Sequence, residues 1–385
     1  MERHHYAIFS ARFAPEVGGV ETFTSHLAHN LVDQGDQVTV VTSAISRPAG
    51  WEVLPDEVDL LRLPSHSLMG GRLPLVRPTR RFSRYIAELA SSGVDRVLVN
   101  TRFYGLSLVG LWFASKIGVP AVVLDHGSAY LTLGNTAADA VLRSYEHMMT
   151  FLGRRYHFLY AGISKASTTW LQTFGIHTDL VINNAIDAAA FRREASPRDF
   201  RRELGVGDGE TLVVSVGRLS PEKGSYELVE AARMLGDRVK VALAGEGPLR
   251  EKLEHDLPAN VVLLGNLGHA DLSALLRDAD LFCLPSRSEG FCTSLLEAGA
   301  WGLMPVMTHV GGTDEVMGYP ARFGAYLDDM RAATVAAKID DLLLSGNVGH
   351  LSALQQHVEQ ACSWPKTVES LRLAFEAGGA ASGAD

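Results

Sequence analysis

The chain has 385 residues, 46% apolar and 21% charged, enough to bury the cores of two ordinary domains and too apolar for a disordered chain. With 44 acidic against 35 basic side chains its formal charge is −9, which argues against nonspecific binding to nucleic acid. The three cysteines, Cys283, Cys292 and Cys362, are odd in number and lack metal-ligand spacing, so reduced thiols in a cytosolic protein are the simplest reading. No apolar leader opens the chain and no apolar run reaches ~18 residues. The expectation is a cytoplasmic protein, soluble or peripheral on the inner face of the membrane.

Short apolar runs predict strands at residues 6–10, 38–42, 96–100, 121–125, 158–163 and 180–182. Residues 21–34 predict a helix with Phe23, Leu27 and Leu31 on one stripe and Gly35 as its stop. Residues 165–174 predict another, closed by Gly175. Residues 187–209 are polar, hold Pro197 and three glycines, and mark a domain boundary. Beyond it, strands at 212–216, 239–244, 261–264, 281–284 and 304–307 alternate with helices at 225–235, 249–256, 271–277 and 294–300. The tail, 377–385, is rich in alanine and glycine and reads as a frayed end. Such alternation predicts parallel sheets covered on both faces, hence two α/β domains, residues 1–187 and 188–363. Ligands of open α/β sheets bind outside the carboxyl ends of the strands, so a cleft between two such edges is expected.

The densest chemical signal is Ser286-Arg287-Ser288-Glu289-Gly290-Phe291-Cys292-Thr293-Ser294-Leu295-Leu296-Glu297. It follows one predicted strand and opens a helix. The helix start offers unpaired N–H groups to an anion, with Glu289 before it and Glu297 after it to accept hydrogen bonds from sugar or ribose hydroxyls. Taken alone, the same pattern suits a capped helix with solvated glutamates. Next is Gly217-Arg218-Leu219-Ser220-Pro221-Glu222-Lys223-Gly224, again between strand and helix. Arg218 is a planar fork for phosphate oxygens and Lys223 a compact charge, fit to stabilise a diphosphate as it leaves. An exposed turn with ordinary surface charges would look the same. Glu16-Val17-Gly18-Gly19-Val20-Glu21 lets backbone approach a ligand closely, yet it is not GxGxxG, which weakens a dinucleotide-binding reading. In Asp125-His126-Gly127 the histidine can donate to a sugar hydroxyl or support developing charge.

Together with Ile163-Ser164-Lys165, Asn183-Asn184-Ala185-Ile186-Asp187 and Gly245-Glu246-Gly247-Pro248, these elements follow one another in an order that resembles the retaining family 4 glycosyltransferases. The resemblance covers nearly the whole chain. It implies a GT-B fold, two Rossmann-like α/β domains with the donor in the cleft between them, and a last helix at about 364–378 that packs back on the first domain. It further implies that Arg218 and Lys223 bind the diphosphate and Glu297 the ribose. Glu289 and the backbone of Gly290, Phe291 and Cys292, beside Thr293 and Ser294, would hold the sugar. By the same resemblance His126 touches the sugar, Gly18 and Gly19 approach the phosphates, and backbone near Asn266 and Leu267 reads the base. Glu289, His126, Arg218 and Lys223 are the catalytic candidates, with same-face attack, no obligatory metal and no cofactor beyond the nucleotide diphosphate sugar. UDP is favoured slightly over GDP. Cys292, where the family prefers a small residue or proline, and Asn183-Asn184 in place of an Asn-Gly turn are departures.

For the acceptor, residues 70–90 hold Arg72, Arg77, Arg80, Arg81 and Arg84 among apolar residues. The spacing 77, 80, 81, 84 predicts one basic helical face, with Pro78 in the first turn. That face suits an anionic membrane surface or a phosphate-bearing, lipid-linked or saccharide acceptor; a solvated helix face is the alternative. A nucleotide-sugar epimerase or hydrolase of the same fold, a glycosyltransferase with a soluble small-molecule acceptor, and a non-enzymatic nucleotide-sugar-binding module remain the competing functions.

Overall fold

The structure is a computed structural model that describes residues 3–382 apart from 17, 69, 70, 72 and 133; the side chains of 68 and 379–382 are not described either. Val17, Gly70 and Arg72, named above, therefore lie outside the described residues, as does the end of the tail, 383–385. The chain divides into two compact units, Met1–Asn183 with Trp364–Asp385, and Asn184–Ser363.

Unit 1 runs β1 (His5–Ser10), α1 (Gly19–Asp33), β2 (Gln37–Ser43), β3 (Gly50–Val53), β4 (Asp59–Leu63), β5 (Ser65–Leu68) and β6 (Leu73–Val76). It continues through α2 (Arg80–Ser91), β7 (Arg96–Asn100), α3 (Gly105–Ile117), β8 (Ala121–Asp125), α4 (Thr136–Arg154), β9 (Leu159–Gly162) and α5 (Lys165–Leu171). Its main sheet has the order β3-β4-β2-β1-β7-β8-β9, parallel except for β3. β1 is buried along its whole length, as a central strand covered on both faces must be. Helix α3 lies so close to it that a Cβ on Gly110 would come within 2.8 Å of the Phe9 ring.

Unit 2 runs α6 (Ala188–Arg193), α7 (Phe200–Glu203), β10 (Thr211–Val216), α8 (Ser225–Leu235), β11 (Val239–Ala244), α9 (Arg250–His255), β12 (Val261–Gly265) and α10 (His269–Asp278). It continues with β13 (Leu281–Leu284), α11 (Thr293–Ala300), β14 (Pro305–Thr308), α12 (Thr313–Met317), β15 (Ala325–Leu327), α13 (Ala332–Ser345) and α14 (Ser352–Ala361). The sheet is parallel with the order β12-β11-β10-β13-β14-β15. The chain thus moves outward from β10 to β12 and returns to the other side of β10 at β13. That reversal makes the carboxyl ends of β10 and β13 the switch point of the sheet, beside which open α/β sheets bind ligands.

Helix α15 (Trp364–Ser382) packs within unit 1. Trp364 stacks on His26, Phe375 meets Tyr6 edge-on, and the Arg372 guanidinium donates to Asp36 at 2.8 Å. Of the tail expected to fray, the residues as far as Ser382 continue this helix.

Other expectations need correcting. Residues 187–209 are not a bare linker. Asp187 and Asp199 cap α6 and α7 by accepting from the backbone N–H of Ala190 and Arg202, and Phe191 and Phe200 enter the core of unit 2. The predicted strand at 180–182 is a single bridge from Val181 to Gly162. Residues 73–76 form a strand, and the helix after them starts only at Arg80, where Thr79 accepts from the N–H of Phe82. Arg77 and Pro78 precede that cap, so Arg77 is not on the helical face with Arg80, Arg81 and Arg84. No helix among the described residues is long and apolar enough to cross a membrane.

Candidate active site

The loops after β10 and β13 are pulled together by backbone contacts that admit no side chain. Gly224 sits at φ +67°, and a Cβ there would lie 2.3 Å from the carbonyl oxygen of Pro285. The N–H of Arg287 donates to the Glu222 carbonyl at 2.7 Å. On the far side of the β13 loop a Cβ on Gly311 would lie 2.2 Å from the Gly290 carbonyl, and the N–H of Cys292 donates to the Gly311 carbonyl at 3.1 Å.

These contacts bring two predicted residues into direct union. Lys223 Nζ donates to Glu289 Oε1 at 2.5 Å, with the two side chains 23% and 10% exposed. The Ser286 hydroxyl lies 2.7 Å from the same oxygen and donates to it. Burial alone would lower the Lys223 pKa, but the Glu289 carboxylate outweighs it and the pKa is raised. The ammonium is therefore charged throughout the physiological range.

Glu289 is followed at once by the amino terminus of α11. No side chain caps that terminus by a hydrogen bond, which leaves its partial positive charge available to an anion. Thr293 accepts from the Asn184 amide at 3.2 Å, and Ser294 lies 3.4 Å from the Cys292 thiol. Burial pushes the Cys292 thiol up to about 12, so it is neutral and shapes the site by volume, not by reactivity.

Glu297, a little over one turn into α11, is half-buried, and no side chain among the described residues bonds its carboxylate. Burial raises its pKa to about 7. A carboxylate left this way is open to donors from outside the protein. Arg218, at the mouth of the β10 loop, is exposed, and its guanidinium has no hydrogen-bonding partner among the described residues. Asn266 and Leu267 stand apart from this cluster, past the edge strand β12, with Asn266 exposed and Leu267 half-buried against the core.

In unit 1, Gly18 and Gly19 begin α1. The Glu21 carboxylate folds back over the helix start, so a Cβ on Gly18 would meet its oxygen at 2.3 Å, while Gly19 faces open space. His126, past the end of β8, packs edge-on to Phe23 and is held through Nε2, 3.1 Å from Asn100 Oδ1. The Asn100 amide nitrogen donates to the Thr24 hydroxyl at 2.8 Å, which in turn donates to the Val20 carbonyl at 2.7 Å. This chain of donors assigns the proton to Nε2 and leaves Nδ1 as an acceptor. Burial pushes the His126 pKa down to about 3, so the imidazole is neutral and supplies no positive charge.

Asn100 and Thr24 escape a reading of the sequence, as do Arg102 and Glu146, and Ser286 stands in the quoted motif without an assigned role. Arg102 is fully buried, forks onto Asp125 at 2.8 and 2.9 Å, and reaches Glu146 at 2.7 Å. Burial raises the pKa of both carboxylates against the pull of Arg102. The one available signal was the type of residue: a polar side chain ending an apolar strand, as Asn100 ends β7.

Among the acceptor candidates, Arg80 and Arg81 are exposed on α2, while Arg84 donates to Glu88 at 2.7 Å. Among the described residues, no group of three or more His, Cys, Asp and Glu side chains is placed to hold a metal ion.

Residues 17–190 match the family model described as Glycosyltransferase Family 4, and residues 197–359 match that described as Glycosyl transferases group 1. The chain is 28% identical over 331 residues to a subunit of human phosphatidylinositol N-acetylglucosaminyltransferase, covering 82% of this chain but only 64% of that relative's length. It is 27% identical to the GDP-mannose-dependent alpha-mannosyltransferase of Mycolicibacterium smegmatis, covering 96% of both chains. Among solved structures, Anabaena Alr3699/HepE in complex with UDP-glucose superposes with a TM-score of 0.69 at 19% identity, over 97% of this chain and 98% of that one. This chain belongs to the family 4 glycosyltransferases and has the GT-B fold.

Proposed function

We propose that the protein is a retaining glycosyltransferase that moves a hexose or N-acetylhexosamine from a nucleotide diphosphate sugar to a saccharide or lipid-linked acceptor. The observation that carries the reading is the cluster at the β10–β13 crevice: the Lys223–Glu289 pair, an uncapped helix start and two unsatisfied groups, Arg218 and Glu297. Arg218, Lys223 and the α11 terminus form a seat for a diphosphate and would stabilise it as negative charge collects on the departing oxygen. Glu297 would accept from the ribose hydroxyls. Glu289, with Gly290, Phe291 and Cys292, would hold the sugar, and residues 266 and 267 would border the base.

In unit 1, His126 would accept a sugar hydroxyl through Nδ1, and Gly18 and Gly19 would approach the phosphates by their backbone. A histidine whose pKa burial lowers to about 3 is a weak base and a protonated thiol is none, which favours same-face attack in which the leaving phosphate takes the acceptor's proton. The reaction so conceived needs no metal. UDP is the preferred nucleotide, in keeping with the UDP-glucose complex of the Anabaena protein, and the relative named for phosphatidylinositol favours a lipid-linked acceptor.

The test is incubation with UDP- and GDP-sugars and lipid or saccharide acceptors in the presence of EDTA, with product anomers read by NMR. Transfer with the donor's anomeric configuration kept supports the reading. An inverted product, epimerisation of the donor, or hydrolysis that no acceptor diverts would overturn it.

A further inference from the structure

Helix α4 carries apolar residues on its outward face as well as its inward one. Its inward face carries Leu142, Met149 and Gly153 as expected, together with the buried Glu146. Yet its outward face exposes Val141 by 69%, Met148 by 52%, Phe151 by 58% and Leu152 by 36%. At about 100° per residue these four fall within an arc of about 100°, a continuous stripe along the helix. Isolated exposed apolar residues are ordinary; a contiguous stripe of this kind marks an interaction surface.

The charges beside the stripe have one sign. Arg155 is exposed on the stripe, and Arg143 and Arg154 are exposed on one flank of the helix, where the Arg154 guanidinium also donates to the Phe174 carbonyl at 3.0 Å. Both carboxylates of the helix are engaged elsewhere: Glu146 holds Arg102 and the N–H of Leu131, and Asp139 accepts from the Thr132 hydroxyl at 2.8 Å. The chain as a whole carries −9, so this basic face is a local reversal. Arg155 lies over the Phe151 ring at 5.1 Å and Arg143 over Tyr130 at 5.1 Å, which sets guanidinium groups at the level of the apolar residues. A second copy of this chain is a poor occupant, because a two-fold contact would set arginines against arginines.

We infer that the outward face of α4 rests on an anionic lipid bilayer, with Met148 and Phe151 entering the acyl boundary and the arginines meeting headgroup phosphates. Helix α2 is not that surface. Its large apolar residues Ile86 and Leu89 point inward, and Arg84 is neutralised by Glu88, so it has charge without an apolar face to insert. The inference goes beyond the donor reading and needs no assumption about the reaction.

Sedimentation of the full chain with phosphatidylcholine vesicles, with and without phosphatidylglycerol, tests it. The protein is expected to pellet with the anionic vesicles at low salt and far less with phosphatidylcholine alone. Met148→Glu with Phe151→Glu should weaken partition by about tenfold or more, and Arg143→Ala with Arg155→Ala should remove much of its salt dependence. Arg80→Glu with Arg81→Glu should bind nearly as the unaltered protein does. Thermal melts establish that these exposed substitutions leave the fold intact. Absence of binding to anionic vesicles, or binding indifferent to the α4 substitutions, overturns the inference. So does a dimer in ultracentrifugation that dissociates on Phe151→Glu without any vesicle binding. Donor turnover with a soluble acceptor is read separately, so loss of one result leaves the other standing.

Discussion

Replacing Glu297 with glutamine should move stability and donor binding in opposite directions. Burial raises this carboxyl from 4.5 to about 7, so the folded protein holds the proton more tightly than the unfolded chain does. Between those two values the native state binds more protons, and stability falls as pH rises through the window. The full rise corresponds to roughly 3 kcal/mol. Residual solvent contact at this half-buried site reduces that to about 1–2 kcal/mol. Glutamine has no such penalty. Its advantage is absent below pH 4.5, grows through the window and is complete above pH 7, as an increase in Tm of about 2–8 °C for a unit of this size. Binding should do the reverse. A hydrogen bond to an ionised group contributes about 1.5–3 kcal/mol, so the variant should bind the nucleotide about 10- to 100-fold more weakly at pH 8. The unaltered protein should itself lose affinity as pH falls below about 7. Melts from pH 5 to 8.5 and calorimetric titration with UDP and GDP measure both. A glutamine variant less stable at pH 8, a Tm difference that does not vary with pH, or unchanged nucleotide affinity refutes the argument.

Lys223→Ala should lower turnover by about 10²–10³ and weaken donor binding, since it removes a charge from the leaving phosphate and leaves Glu289 with only the Ser286 hydroxyl; unchanged steady-state kinetics would count against the phosphate role. Gly224→Ala should destabilise unit 2 by at least about 2 kcal/mol, because the new methyl collides with the Pro285 carbonyl at a positive φ; a denaturant midpoint equal to that of the unaltered protein would show that the loops are not locked. The His126 ring should stay neutral and protonated on Nε2 from pH 5 to 8, visible in its long-range nitrogen–proton couplings, and Asn100→Leu should disturb that tautomer; a ring that titrates near pH 6.5 contradicts the desolvation, and a neutral ring protonated on Nδ1 contradicts the donor chain that ends at the Val20 carbonyl.

Much of the fold was legible before any coordinates. Central parallel strands are covered on both faces, so β1, β10, β11 and β13 appear in the chain as mostly apolar runs, and the glycines and charges after them mark where a ligand would sit. Residues 50–76 were not legible. β3 lies at the edge with alternate residues exposed, and β5 and β6 exist only by pairing with each other. Helix α3 is apolar around most of its circumference and so shows no stripe. At Arg77 an intact helical spacing misled, because the cap at Thr79 starts the helix three residues later than the arginine pattern suggests.

The identity of the charged groups at the site could be read from residue type and spacing. Their state could not. Lys223 and Glu289 are 66 positions apart, and Asn100 and Thr24 are 76 apart, so no local pattern announces that they touch. The neutral imidazole of His126 and the raised carboxyl of Glu297 come from desolvation, which depends on how much protein surrounds a group in space. Apolar patterning is written along the chain because it repeats within each element. Ionisation, pairing and the exposed stripe of α4 depend on what packs against each side chain, and those neighbours are distant in sequence.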